Sequence, residues 1–393
     1  MSISEIGKRL GAIAAAPLLV AVYLMRPLLR IELCIVGAHR FGHLALEPEI
    51  RLCLEQFGGT SGRQRRITFW SFGRKSSQSN RLLARLWVRE VRFSSSTLVG
   101  AIVQSGELFP KFAIPRANLS IFGPKNVLDL TTSRLANQVG GLRSNICNQL
   151  GLTPDRYVCL VIRDGTYYRQ TGLHESPGYK LLNFDAEIFR ATCRRLVSEG
   201  LKVVRLGTPT ENRLIDESGV VDYANSPLRS ELNDLILVRD CTFLVSTQTG
   251  PDALGLALRK PTLFVDTLRV SQFFLGTQLA TWNPVGYLDP NSGRKLSLSE
   301  LIDSQLLWLK NPDEFVDSKY EFLRSTGLEI SEMASAYHHD LRNGVSPEIA
   351  SLRDEVNHRL TVGLGERGRS IWGDVVANVN SWWLKTNSEW FIA

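Results

Sequence analysis

The stretch LVSTQTGPDALGLALRKPTLFVD, Leu244 to Asp266, reads as strand, polar loop, helix and second strand in immediate succession. An apolar run closes in Ser246 and Thr247, a loop passes through Thr249 and Gly250, and a helix begins at Pro251 or Asp252. Free backbone NH groups at a helix start, a glycine that admits close approach and hydroxyls within reach suit a diphosphate group. The same Ser and Thr residues also serve as ordinary helix caps, so the motif alone admits both readings.

The pattern extends on both sides. RYVCLVIRDG reads as a strand ending at Arg163 and Asp164, FDAEIFRATCRRLVSEG as an amphipathic helix from Asp185 to Gly200, and LKVVRLG as a strand. PLRSELNDLILVRD follows as a helix and CTFLVST as a strand. Strand and helix in alternation at this spacing predict a parallel, doubly wound sheet. Upstream, IELCIVGA and ITFWSF read as strands, EPEIRLCLEQF and QSNRLLARLWV as helices. Pro48 suits a first helical turn, which places a loop up to Glu47. The expected organisation is an apolar N-terminal segment over 1–29, α/β domains over 30–150 and 151–297, and a helical tail over 298–393.

Charge divides unevenly. Residues 1–150 hold 20 Lys and Arg against 8 Asp and Glu, whereas the remainder holds 26 against 31. The basic side chains crowd between Arg63 and Arg92, a surface that attracts anionic lipid, phosphorylated ligands or nucleic acid. The aromatic residues there read as core positions and not as base-stacking platforms, which argues against nucleic acid. GAIAAAPLLVAVYLM, Gly11 to Met25, is too short for a membrane span of about 20 residues and contains Pro17. With Arg26 and Arg30 beyond it, the segment reads as a helix lying in a membrane interface or docked on the protein. The six cysteines fall mostly within apolar runs without metal-ligand spacing, the pattern of buried thiols in a reducing compartment.

In a doubly wound sheet, ligands bind beyond the carboxyl ends of the strands, where Arg163, Asp164, Arg205, Ser246 and Thr247 all fall. Arg163 can fork onto phosphate oxygens, and Asp164 can hold its loop, orient Arg163 or bind a sugar hydroxyl. Together with Thr249, Gly250 and Asp252 these are the expected donor-binding residues.

HRFGHLALEPE, VCLVIRDGTYY, VVRLG, DYANSPLRSELNDLILVRDCTFLVSTQTGPDAL and the terminal NSEWF together resemble a family of bacterial glycosyltransferases of GT-B type. That family is met in clusters making lipopolysaccharide or other surface polysaccharide. The resemblance implies two Rossmann-like domains facing a cleft, a C-terminal nucleotide-sugar site and an N-terminal acceptor side. It implies no catalytic metal and no cofactor beyond the nucleotide-sugar co-substrate, with helix dipoles and basic side chains stabilising the departing diphosphate. On that architecture, the loop after the first strand supplies the general base. His43 and His39 suit the role because imidazole titrates near neutral pH. Gly42 admits a ligand, Arg40 can contact phosphate, and Glu47 and Glu49 are reserve bases.

The expected function is transfer of a sugar from a nucleotide-diphosphate donor to a surface-glycan or lipid-linked acceptor, at the cytoplasmic face of an anionic membrane. A nucleotide-sugar epimerase or other nucleotide-binding enzyme is the alternative, although no GxGxxG follows the first strand. A non-enzymatic protein that binds anionic surfaces is the third class.

Overall fold

A computed structural model of the chain describes all residues except 1–2, 58–64, 118, 120–125, 173, 215, 270–276, 310, 319, 373–375, 377 and 393. Arg63 of the basic cluster therefore lies outside the described residues. The chain forms two compact units, Met1–Ile121 and Phe122–Ala393.

The first unit contains α1 (Ile3–Met25), β1 (Leu29–Ile35), α2 (Phe41–Phe57), β2 (Arg65–Ser71), α3 (Arg81–Glu90) and α4 (Ser96–Leu108). β1 and β2 pair in parallel, and single parallel bridges, Leu33 to Arg116 and Trp70 to Ser94, extend the sheet on either side. This is a narrow version of the expected doubly wound sheet. Alternation along β1 sorts its two faces. Ile31 and Leu33 pack with Leu19 and Val22 of α1, Ile102 of α4 and Ile114. Glu32 faces the other way and receives Arg51 Nη2 of α2 at 2.6 Å, while Thr68 of β2 donates to Glu55 of α2 at 3.0 Å.

α2 starts earlier than Pro48 suggests, and Pro48 lies inside it. Proline has no amide to give the carbonyl four residues back, so an internal proline leaves that carbonyl without its helical partner. Here the carbonyl belongs to Leu44, and Trp87 Nε1 of α3 donates to it at 2.8 Å. The break that the sequence leads one to expect is thereby filled from the next helix.

The second unit contains β3 (Tyr157–Val161), α5 (Thr166–Thr171), α6 (Arg190–Ser198), β4 (Lys202–Leu206), β5 (Val220–Val221), α7 (Glu231–Asp240), β6 (Phe243–Ser246), α8 (Gly250–Ala257), β7 (Thr262–Thr267) and β8 (Ala280–Pro284). It continues through β9 (Gly286–Leu288), β10 (Glu321–Leu323), α9 (Gly327–Asn343), α10 (Pro347–Trp372) and β11 (Asn378–Val379). Seven parallel strands form one sheet in the order β11-β8-β7-β6-β3-β4-β5. Counted from β3, the first six follow the order 3-2-1-4-5-6 of dinucleotide-binding sheets. β3, β6 and β7 are buried throughout, as the uninterrupted apolar runs of a sheet covered on both faces require.

Residues 126–150 belong with this sheet. Ser133 Oγ donates to the Ala257 carbonyl at 2.6 Å, Thr277 Oγ1 to Asp129 at 2.8 Å and Ser144 Oγ to Asn233 at 2.6 Å. The C-terminal segment is mostly helical, and it also adds β11 to the sheet edge beside β8. All six cysteines are buried and free.

Candidate functional site

The chain runs from β3 outward to β4 and β5, then crosses back to place β6 on the other side of β3. The carboxyl ends of β3 and β6 consequently mark the point where the strand order reverses, the position at which ligands bind in open sheets of this kind. Val161 of β3 lies in register with Ser246 of β6, so Arg163 and Thr247 come from adjacent strand ends. The Arg163 amide donates to Thr247 Oγ1 at 2.8 Å and ties the two together.

Most of the expected donor-binding side chains are engaged inside the protein. Asp164 Oδ1 accepts from the Thr166 amide at 3.0 Å, and its Oδ2 accepts from Arg205 Nη2 at 3.0 Å and Thr210 Oγ1 at 2.8 Å. Arg205 is 2% exposed and also donates to the Asn212 carbonyl. The Asp164–Arg205 pair therefore braces the loops after β3 and β4. Gly165, in the loop after β3, has a left-handed conformation, and a Cβ there would meet Glu175 Oε2 at 2.7 Å. Ser246 Oγ and the Thr249 amide both donate to Asp252 Oδ2, at 2.9 and 2.7 Å, closing the turn into α8. Burial pushes the Asp252 carboxyl up to about 6 against these hydrogen bonds. Gly250 opens α8, with Pro251 at a position that suits its missing amide.

Arg163 is different. Its Nε and Nη2 atoms are buried and have no hydrogen-bond partner among the described residues. The Glu175 carboxylate stands off at 4.0 Å from Nη2. The guanidinium is held over the rings of Tyr168 and Tyr179, 5.2 and 5.1 Å from their centroids. Arg269 adds a second positive charge to this environment: burial pulls it down to about 10, the charge of Arg163 acts in the same direction, and Tyr179 and Asp252 oppose them. Leaving Arg163 Nε and Nη2 buried without hydrogen-bond partners is costly, and an anion placed beside them would supply those partners.

Two further orphaned atoms belong to the ends of β6 and β7. Gln248 has φ +62°, is 4% exposed and donates Nε2 to the Asp266 carbonyl at 3.0 Å. Its Oε1 and Thr267 Oγ1 are buried without a partner among the described residues. Tyr168, Tyr179, Gln248, Thr267 and Arg269 escape a reading of the sequence. Only the position of Gln248 inside the STQTG loop hints at it, because left-handed backbone at a glutamine carries no local signature.

In the first unit, His39 and Arg40 lie in the exposed turn between β1 and α2, and Gly42 and His43 lie in the first turn of α2. Burial, followed by the charges of Arg40 and His43, lowers the His39 imidazole below its ordinary value. His43 Nδ1 lies 2.7 Å from Glu47 Oε1, while Glu47 Oε2 accepts from the Gly37 amide at 3.2 Å. The Glu47 side chain is 6% exposed and that of His43 26%. Both oxygens of Glu47 are engaged, and Glu49 is fully buried. Among the described residues, no group of three or more His, Cys, Asp and Glu side chains is placed to hold a metal ion.

No protein-family model and no curated protein matches the chain. Among solved structures, the chain is similar to the Escherichia coli ADP-heptose lipopolysaccharide heptosyltransferase II, with 13% identity and a TM-score of 0.38 over 73% of this chain and 96% of that one. A glycosyl transferase of family 9 from Veillonella parvula gives 14% identity and a TM-score of 0.36, covering 65% and 86%. A UDP-N-acetylglucosamine 2-epimerase gives 12% and 0.32, covering 80% and 97%. At these values the likenesses carry no argument about function.

Proposed function

We propose that the protein is a glycosyltransferase that binds a nucleotide-diphosphate sugar at the strand-order reversal of its second unit and transfers the sugar to a hydroxyl of a surface-glycan or lipid-linked acceptor. The observation that carries this reading is Arg163, a buried guanidinium with two unpartnered nitrogens at the carboxyl end of β3, beside a second positive charge. Guanidinium forks match phosphate oxygens, and a site partly shielded from water strengthens that attraction as charge develops on the leaving diphosphate. The flanking tyrosines suit a base or sugar face. Support also comes from the resemblance of its sequence motifs to those of GT-B glycosyltransferases and from the sheet order.

The acceptor reading rests on the first unit. His43 offers a proton acceptor, and the outward side of α1 carries Ile13, Leu18, Val20, Leu24 and Met25, all exposed apolar side chains. Among the described residues no helix is long and apolar enough to cross a membrane. An apolar helix face of this kind fits a lipid interface, where a lipid-linked acceptor would be held.

The test is a donor-hydrolysis screen across UDP-, GDP-, ADP- and CMP-sugars with the wild type, R163M and H43A. One donor turned over, with turnover lost in both variants, supports the reading. Thermal stabilisation by NAD alone, with no nucleotide sugar bound, would point instead to another nucleotide-binding enzyme.

A further inference from the structure

We infer that Glu47 is the positioning residue of a Glu47–His43 pair, fixing the imidazole tautomer so that His43 Nε2 is the atom that takes the acceptor proton. The inference rests on the glycosyltransferase reading and adds to it the identity of the proton-accepting atom and of the residue that sets it.

The geometry leaves Glu47 little freedom. Four residues apart on α2, the two side chains lie one above the other on a single face. Glu47 is nearly inaccessible to solvent; its Oε2 accepts from the Gly37 amide at 3.2 Å, and its Oε1 lies 2.7 Å from His43 Nδ1. An ionised carboxylate accepts hydrogen bonds and donates none, so Nδ1 must carry a proton. The neutral ring then has its lone pair on Nε2. Gly37 completes the arrangement, because a Cβ there would lie 3.2 Å from His43 Cβ and 3.4 Å from Nδ1. The side chain of His43 keeps 26% of its surface exposed, enough for a hydroxyl to reach the ring.

In the reaction, the acceptor O–H proton passes to Nε2 as its oxygen bonds to the anomeric carbon. The bond from that carbon to the diphosphate breaks, and the nucleoside diphosphate departs with the electron pair. The resulting imidazolium faces the Glu47 carboxylate, which stabilises it until the proton leaves to solvent. Because both of its oxygens are occupied, Glu47 acts through His43 and does not itself take the proton. Glu49, fully buried, is likewise withdrawn from a substrate.

The experiment combines two readouts on the full chain, labelled with 15N-histidine. Long-range 1H–15N correlation, with the His43 signal assigned by its loss in H43N, reports which ring nitrogen bears the proton. Wild type is expected to show the Nδ1–H form. In E47A the ring reverts toward the Nε2–H form that free imidazole side chains favour. E47Q, which keeps an acceptor oxygen of the same shape, retains the Nδ1–H form but loses the charge. Turnover of the donor identified in the screen is expected to fall about 10-fold to 100-fold in kcat in both variants, with the donor KM unchanged. An Nε2–H imidazole in the wild type, or full turnover in E47A, overturns the role of Glu47. Failure of every donor to bind, with the Nδ1–H form intact, overturns the transfer reading itself, so the two failures are distinguishable.

Discussion

Arg163 carries the sharpest expectation at the scale of single residues. Its Nε and Nη2 atoms are buried without hydrogen-bond partners among the described residues, so the free protein bears a desolvation cost that the two tyrosine rings and the Glu175 carboxylate at 4.0 Å offset only in part. R163M should therefore leave the unliganded protein within about 1 kcal/mol of wild-type stability, while binding of a nucleoside diphosphate falls at least about tenfold. Denaturant unfolding and calorimetric titration of the same preparations check both halves. Asp252 gives a pH dependence. Its carboxyl is lifted from an ordinary 3.8 to about 6 by burial, so the folded chain holds this proton more tightly than the unfolded one. Its contribution is present in full below about pH 4, fades as pH rises through about 6 and is absent above. The stability of wild type relative to D252N should accordingly fall between about pH 4 and 7, by an amount of the order of 2–3 kcal/mol. A difference that stays flat over that range would remove the argument.

At the scale of elements, α2 and α3 share one carbonyl. Pro48 removes the amide that would have served Leu44, and Trp87 Nε1 takes its place. W87F should cost about 1–3 kcal/mol for the orphaned carbonyl. The cost should shrink in a P48A background, where an alanine amide can serve Leu44 again. Urea unfolding of the four proteins of this cycle gives the coupling, and strictly additive effects would contradict it. The outer face of α1 makes a separate expectation. Ile13 and Leu24 are 57% and 70% exposed, so I13E/L24E should fold normally yet lose flotation with phosphatidylglycerol-containing vesicles. The arginines at 85 and 89 of α3 are also exposed, but α3 packs with α2 on the opposite side of the β1–β2 sheet from α1. R85E/R89E should therefore float as wild type does. Flotation of I13E/L24E alongside wild type would assign the apolar face elsewhere.

These elements show what sequence can and cannot convey. The strands at Tyr157–Val161, Phe243–Ser246 and Thr262–Thr267 are legible because each is an uninterrupted apolar run bounded by turn residues, a signal contained within the strand itself. The entry into α2 is misread because Pro48 is tolerated only through Trp87, 39 positions along the chain. β11, two residues long, has no periodicity to read, and it forms because β8 offers an open edge. The polar residues at the strand ends are correctly located, yet their roles divide according to partners far away in sequence. Asp164 and Arg205 turn to each other across 41 positions, and Thr247 turns to the Arg163 amide across 84. Arg163 is the one whose guanidinium keeps two nitrogens without a partner among the described residues, a distinction that no local motif encodes.

At the scale of the whole molecule, the second unit joins a parallel sheet in the order 3-2-1-4-5-6 to a partly shielded cationic position at its reversal point. In the first unit, His43 in the first turn of α2 has its Nδ1 2.7 Å from the Glu47 carboxylate. The central claim is that the second unit holds a nucleoside diphosphate through Arg163. The direct measurement is isothermal titration of the full-length wild type and R163M with UDP, GDP, ADP and CMP, in metal-free buffer and again with Mg2+. The account predicts that one nucleoside diphosphate binds the wild type without added metal and that R163M loses at least about tenfold in affinity for it. Equal binding by both proteins, or binding by neither under any condition, would contradict it.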